Sequence, residues 1–577
     1  MKRLALISLA SLILVGVTRI PLAPGQLFSF DDVNFAYAIG DFNIAKSQPQ
    51  PPGYPLFVLQ TRVLSWLRFK RAESNFLALS ILGSAAALVA LVYFGNRILG
   101  RDSGLIAAVL LLFHHSFWYS GLTSALRPQL ALISIVVAGL CFRAWNGERR
   151  WIYWSAIALG IGAGIRPEMG PLLLPLWLAS TYRATRRWRD WLAASALLTG
   201  VVLSWLVPTV LATGGPRTYA LLCWRYLTEQ ASLTSGAFGA QDELWYGTIA
   251  WFLVWSLSTL LALPAAAILA WRRGMGFGLT HGQIAFLLIW FVPAFLFGIL
   301  VHVADPGQTL GLVAIVCLLG GYLIGRAMDT LSKKAPNSHA TIFAALPLTF
   351  ALASFILQPR WVLIAIPVCC IAAALALRQG EGAPIVRIHS LIFLLSPALF
   401  LNMVSFFQPV WYYKGPATSL HRLLQDLHSG LSFTSLAQIR GTIWADHNTL
   451  QGIGRLSSER PGDSVVIWER GLTSWRKINY YFPKLPVIVL ENKTLQSGTP
   501  PSVTVRTGQT MESSPPARIN LTPGARLIWI VNPNTPFYTA LQREFNPGTV
   551  VEFNHIFFTD LPGTPGEAPI GDYMMRW

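Results

Sequence analysis

Charge is what this sequence has least of. Of its 577 residues only 12% are Asp, Glu, Lys or Arg, about half the share in an ordinary soluble domain, while 53% are hydrophobic. Such a chain cannot hide its apolar residues in one aqueous core, and it reads as a polytopic membrane protein. Acid is the scarcer sign, with 26 Asp+Glu against 44 Lys+Arg. Divided at residue 410, the chain carries 29 basic and 14 acidic residues before that point and 15 and 12 after it. The surplus therefore sits among the apolar runs, where basic loops set orientation, and nucleic acid is not an expected partner. Cysteine is also sparse. Cys141, Cys223, Cys317, Cys369 and Cys370 lie in or beside apolar stretches without a CxxC or Cys/His pattern, so neither a disulfide framework nor a zinc site is implied.

What is abundant is long apolar runs. A spanning helix needs about 20 apolar residues, and runs of that kind occur at 4–20, 76–95, 103–121, 126–143, 151–166, 170–182, 191–212, 245–271, 283–303, 309–327, 341–358, 361–377 and 389–408. The expected fold class is mainly α: a transmembrane helical bundle of about thirteen spans, residues 1–410, with a small C-terminal α/β domain outside the membrane, residues 411–577. Lys2-Arg3 and the apolar residues to Ile20 have the form of a signal peptide, but no small-residue cleavage site follows, so the segment is taken as the first span. Trp118, Trp145, Trp151, Trp154 and Trp188 stand near run ends, as in interfacial belts.

With the N-terminus inside, alternate connections hold 18 of the 29 basic residues of the membrane part. This register requires that residues 54–69, which are short and carry Arg62 and Arg68, lie on the outer surface without crossing. The external loop within 21–75, the turn "GIRPEMGP", the loop 213–244, "VHVADPGQ" and the tail then face outward. In the tail, "VVIW", "PVIVL", "LIWIV" and "TVVEF" read as strands, while "SGTPPSVTVRTGQTMESSPPAR" reads as an irregular insertion.

The external loop contains two adjacent carboxylates, Asp31 and Asp32, in "FSFDDVNFAYAIG". Ser29 and Asp32 have capping-box spacing, and acids suit a first helical turn. That accounts for Asp32. Asp31 lies on the apolar stripe of Phe35, Ala38, Ile39 and Phe42, one turn before Phe35, where a carboxylate is costly and marks a functional candidate. The "QPPGYP" segment supplies a stiff turn after it. Lys46, Arg62, Arg127, Arg166, Glu168, His302 and Asp305 are the other outward polar groups, and a cavity holding them would suit an anionic lipid headgroup and a reaction that needs a base. His114 and His115 are adjacent, not at ligand spacing, and read as a packed pair.

An acidic pair in the first external loop, a "PPxxYP"-type segment, a basic turn between later spans, about thirteen helices and an external C-terminal domain together resemble the GT-C glycosyltransferases. Within these, the chain is similar to the RgtA/B/C/D-like and protein O-mannosyltransferase-related families, including the aminoarabinose transferases of lipid A, most closely over residues 1–210. The resemblance implies an inverting transferase that takes a sugar from a polyprenyl-phosphate donor to a lipid, glycan or protein acceptor, in a bacterial inner membrane with the C-terminal domain outside the cytoplasm. It implies Asp31 as catalytic carboxylate with Asp32 beside it, and Lys46, Tyr54, Arg62, Arg127, Arg166, His302 and Asp305 as substrate-binding residues. No cofactor is firmly implied; a divalent metal ion, if one takes part, falls to Asp31 and Asp32. "ALRPQL" departs from the pattern, placing Arg127 where relatives often carry an acid. Either Asp32 supplies the second carboxylate or Arg127 binds phosphate. The rival readings are a transporter or flippase of polyprenyl-linked lipids, which needs no base, and an inactive GT-C scaffold. The tail segment "SWRKINYYFPKLPVIVL" resembles a recurrent segment of such transferases, with Tyr480 and Tyr481 expected in core packing.

Overall fold

The computed structural model describes the chain except residues 1, 68, 101, 235–243, 273–277, 302–304, 333–383, 408–418, 470–472, 492–501, 509, 515–517, 532–534, 546–550 and 554–555. Two compact units emerge. One comprises Met1–Gly25, Asn43–Ala45 and Pro51–Ile439; the other comprises Gln26–Phe42, Lys46–Gln50 and Arg440–Trp577. The division differs from the expected 1–410 and 411–577, because most of the acidic loop makes its contacts with the tail.

The first unit is helical, and it makes this a membrane protein. Among the described residues six helices are long and apolar enough to span: Leu4–Leu22, Ala72–Ile98, Arg127–Trp145, Trp188–Ala212, His281–Leu300 and Pro306–Asp329. Among the described residues the count of thirteen is not confirmed, for local reasons. The run at 103–121 is two helices, Ser103–Leu112 and His115–Thr123, bent by 57°; counted as one span they bring the total to seven. The run at 245–271 divides into Leu244–Leu261 and Pro264–Arg272, with the ring of Pro264 at the first position of the new helix. Arg150–Ile165 and Met169–Ala184 have only 16 residues each. The runs at 341–358 and 361–377 lie outside the described residues.

Residues 54–69 behave as the orientation scheme requires. Pro55–Leu67 is a 13-residue helix, about 20 Å long and too short for a roughly 30 Å hydrocarbon core. It buries Phe57, Val58 and Thr61 and exposes Leu59, Val63, Trp66 and Leu67, an arrangement suited to the membrane interface.

The tryptophans divide. Trp154 and Trp188 are exposed, as in a belt, but Trp118 and Trp145 are buried. Trp118 takes the guanidinium of Arg19 on its face at 4.4 Å, and Trp145 meets Phe286 edge-on at 5.5 Å. Two fully buried indoles of this unit keep a partner: Trp290 donates to Ser134 Oγ at 2.9 Å and Trp255 to the Gly430 carbonyl at 2.7 Å. The bend before His115 is occupied by the histidine pair, stacked at 4.9 Å. His114 Nδ1 accepts from the Ser116 N–H, and its Nε2 meets Ser258 Oγ at 3.1 Å. His115 Nδ1 meets Thr434 Oγ1 at 2.8 Å. These are satisfied packing groups, as expected.

The second unit is built on a seven-stranded sheet of order β4-β3-β2-β1-β6-β8-β7, with β1 Ser464–Trp468, β2 Val487–Glu491, β3 Ser502–Thr507, β4 Thr510–Ser514, β6 Arg526–Ile530, β7 Val551–Phe553 and β8 Ile556–Asp560. Strand β5, Arg518–Asn520, joins β9, Glu567–Ile570, and β10, Tyr573–Arg576, in a small second sheet. All four expected strands form. The stretch expected to be irregular holds the β3–β4 hairpin, because Val503, Thr504 and Val505 pair antiparallel to β2 and Gly508, at φ +55°, makes the turn.

Central β1 runs parallel to β2 and β6, and the two-residue period of these strands feeds two cores. Ile467, Ile488, Leu527 and Trp529 face the helix Pro536–Glu544 through Phe537 and Leu541. Val466, Val487, Val489, Ile528 and Ile530 face Ile453, Leu456 and Ile478. That second core anchors the short helix Trp475–Tyr481 to the sheet. Replacing fully buried Ile528 with Ala is expected to remove about 2–5 kcal/mol of stability, measurable as a lower thermal midpoint of the purified protein.

Candidate active site

In the second unit, the helix Phe30–Gly40 begins with both bonds of a capping box. The Asp32 N–H donates to Ser29 Oγ at 3.1 Å, and the Ser29 N–H donates to Asp32 Oδ2 at 2.9 Å. Asp32 is the deeper acid, 4% exposed, whereas Asp31 is half-buried. This reverses the expectation that Asp31 points at the apolar side. The helix is covered on more than one face, from Asp32 through Ala38, so a single stripe does not describe it. Burial pushes the Asp32 carboxyl up to about 6, opposed by its bonds to Ser29 and by the charge of Lys477, and assisted by the charge of Asp31.

Asp32 is thus committed to the cap, and Asp31 is the carboxylate left on the more open side. The pair does not fit a metal ion: one carboxylate is engaged, and no group of three or more His, Cys, Asp or Glu is assembled among the described residues. Lys46 pairs with Asp41 at 3.0 Å on the surface of the same loop, a contact of small energetic weight.

The loop rests on the helix Trp475–Tyr481. Arg476, 5% exposed, donates from Nε to Asn34 Oδ1 at 3.1 Å and from a terminal nitrogen to the Lys46 carbonyl at 2.9 Å. Its guanidinium lies 4.7 Å from the Tyr37 ring centre. Burial pushes the Tyr37 hydroxyl up to about 12 and lowers Arg476 to about 10. Lys477 donates to the Phe28 carbonyl at 3.0 Å and pairs with Asp446. Tyr480 meets Tyr37 edge-on at 5.4 Å, and the Tyr481 hydroxyl accepts from the Leu27 N–H at 3.1 Å. The tyrosines are therefore loop contacts more than core packing. Arg476, Lys477, Asp446 and Asn34 were missed by sequence reasoning; the only signal was the tail segment that contains two of them.

In the first unit, Arg166 ends the helix Arg150–Ile165. It is almost fully buried, its Nε lies 2.6 Å from Glu168 Oε1, and its guanidinium is 5.9 Å from the Tyr54 ring centre. Arg127 opens the helix Arg127–Trp145, with Nε 3.7 Å from Asp305 Oδ1 and one terminal nitrogen buried without a hydrogen-bond partner. Asp305 caps the turn Pro306–Thr309 by accepting from the Gly307 N–H at 2.5 Å. A Cβ on Gly307 would stand 2.5 Å from Arg127 Cγ, so glycine is what lets the arginine cross this turn. Glu168 and Asp305 share one narrow cleft walled by Leu130, Leu172, Phe252, Trp290 and Phe297. Arg62 lies half-buried on the helix Pro55–Leu67. His302 falls outside the described residues.

Residues 44–191 match the family of the protein O-mannosyl-transferase TMEM260 N-terminal domain, a stretch that includes Tyr54, Arg62, Arg127, Arg166 and Glu168 and stops short of Asp31 and Asp32. The crystal structure of ArnT from Cupriavidus metallidurans bound to undecaprenyl phosphate aligns over 96% of this chain and 97% of that one, with a TM-score of 0.53 and 14% identity. Its apo state aligns with a TM-score of 0.52 and 14% identity over 97% and 98%. The chain shares its fold with these ArnT structures. A similarity of another kind is to the cyanate transport protein CynX of Escherichia coli (strain K12), 24% identical over 334 residues, 52% of this chain and 78% of that protein.

The raised Asp32 has a measurable consequence. A carboxyl whose native value lies above its unfolded value of roughly 3.9 contributes stability fully below pH ~4 and loses that contribution as pH rises through about 6. Asp32→Asn keeps an oxygen to accept the Ser29 N–H and has no such loss. Its stability relative to wild type is expected to rise by about 3 kcal/mol between pH 4 and 7, read from thermal midpoints of both proteins across that range.

Proposed function

We propose that the protein is an inverting glycosyltransferase that moves a sugar from a polyprenyl-phosphate donor to a lipid, glycan or protein acceptor at the extracytoplasmic face of the membrane. The observation that carries this reading is the cleft of the first unit, apolar along its walls and ending in two carboxylates that each pair with a buried arginine. An apolar cleft beside an arginine with an unpartnered nitrogen is suited to a lipid that carries a phosphate. That the similar ArnT structure holds undecaprenyl phosphate supports the same reading.

In this reaction Asp31 takes the proton from the acceptor hydroxyl or amine. The acceptor atom forms a bond to the anomeric carbon while the bond from that carbon to the phosphate oxygen breaks. The electron pair leaves with the polyprenyl phosphate, whose charge Arg127 and Arg166 stabilise. Tyr54 orients Arg166, Lys46 and Arg62 attract the anionic donor, and Asp305 holds Arg127; no metal step is required. The setting we propose, which the family resemblance implies, is a bacterial inner membrane with the tail outside the cytoplasm.

The similarity to a transport protein favours one other reading, movement of a polyprenyl-linked lipid without chemistry. The two are separated by incubating purified protein with labelled polyprenyl-phosphate sugars and extracted acceptors. Wild type is expected to form labelled product, and Asp31→Asn to bind donor but lose transfer by at least 100-fold. Equal transfer by both proteins would remove Asp31 as the base. Translocation of donor across proteoliposomes by both proteins, without product, would favour the transporter.

A further inference from the structure

Building on the transferase reading, we propose that the tail helix Trp475–Tyr481 is the positioning element of the active site, with Arg476 and Lys477 bracing the backbone on either side of Asp31. Lys477 holds the Phe28 carbonyl, three residues before Asp31, at 3.0 Å. Arg476 holds the Asn34 side chain, three residues after it, at 3.1 Å, and the Lys46 carbonyl farther along the loop at 2.9 Å. Trp475 adds an edge contact to Phe30, which directly precedes Asp31, at 5.7 Å. Asn34 passes the restraint on through its own amide, which donates to Gln50 Oε1 at 3.4 Å.

The brace is itself rooted. Ile478 lies in the core beneath β1, β2 and β6, and Ser474 caps the helix by accepting from the Lys477 N–H. Asp446 neutralises Lys477 and is fixed in turn by Thr473 Oγ1, which donates to it at 2.8 Å. Five of the seven helix residues, Trp475, Arg476, Lys477, Tyr480 and Tyr481, touch the acidic loop. Packing alone would be served by apolar side chains, since burying an ammonium and a guanidinium is costly. What the charged groups add is direction, because Lys477 fixes one carbonyl oxygen of the loop and Arg476 one amide and one carbonyl oxygen. The charged or titratable groups facing them are Asp446 and Asp32 at Lys477, and Tyr37 and Arg506 at Arg476. These two residues act through the loop; they are not assigned contact with substrate.

The experiment compares full-length wild type with Lys477→Met, Lys477→Arg and the double variant Lys477→Met/Asp446→Leu. The double variant removes both buried charges and guards against a misfold caused by an unpaired Asp446. Two readouts are taken: kcat and KM for donor and acceptor, and amide hydrogen exchange of residues 27–36. Expected are a fall in kcat of roughly 10- to 100-fold with both KM values kept, faster exchange over 27–36 in both Met variants, and recovery of both readouts in Lys477→Arg. Unchanged kcat despite faster exchange overturns the positioning role, and so does a raised acceptor KM at unchanged kcat, which would make the tail an acceptor-binding domain. Exchange is independent of the reaction. If wild type transfers no sugar, the transferase reading fails separately, and unchanged protection of 27–36 in the double variant then sinks the brace, whereas lost protection sustains it.

Discussion

One buried ammonium, that of Lys477, joins the two parts of the second unit that are farthest apart in the chain. It donates to the Phe28 carbonyl and to Asp446, so its charge is matched on the tail side while its direction is used on the loop side. The cost of taking it out of water is met only while both partners are in place. The rest of the loop geometry follows. Phe28 precedes the N-cap, the N-cap commits Asp32, and the commitment of Asp32 leaves Asp31 as the half-buried acid.

The first unit solves a similar problem in the opposite way. Arg127 and Arg166 are buried cations whose carboxylate partners, Asp305 and Glu168, stand at the wall of a cleft. Arg127 has its Nε side secured by Asp305 and keeps a terminal nitrogen with no hydrogen-bond partner. An arginine locked on all sides would be structural. A half-satisfied pair is the arrangement that tolerates the arrival and departure of an anion.

Local chemistry was legible in the sequence, and long-range pairing was not. The capping box could be read because Ser29 and Asp32 are three residues apart, and the four strands of the tail because their β-branched runs are short and bounded. The Arg166–Glu168 pair lies within one turn. By contrast, Lys477 and Phe28 are 449 positions apart, and no period or spacing connects them. The β3–β4 hairpin was hidden by the Pro and Ser residues around it, and the broken spans by the continuity of their apolar runs, one interrupted at Pro264 and the other bending before His115 without a proline. The burial of Asp32 was misjudged because a stripe predicts one covered face, while the tail helix adds another. The membrane class needed only composition; the number of spans needed the bends.

The capping box also matters in time. Leu27 precedes its partner Tyr481 by 454 positions, and at roughly 5–20 residues per second the loop leaves the ribosome on the order of 20 to 90 seconds before the residue that will hold it. Through that interval the helix Phe30–Gly40, at 11 residues, is shorter than an isolated helix needs to be stable in water. Its own two cap bonds and the contacts within residues 34–50, such as Asn34 with Gln50 and Lys46 with Asp41, are then the parts of the final architecture within reach. The segment carrying Asp31 is therefore among the first outside the membrane to be made and among the last to be set, and a ribosome that stops before the tail helix leaves the acidic loop without its brace.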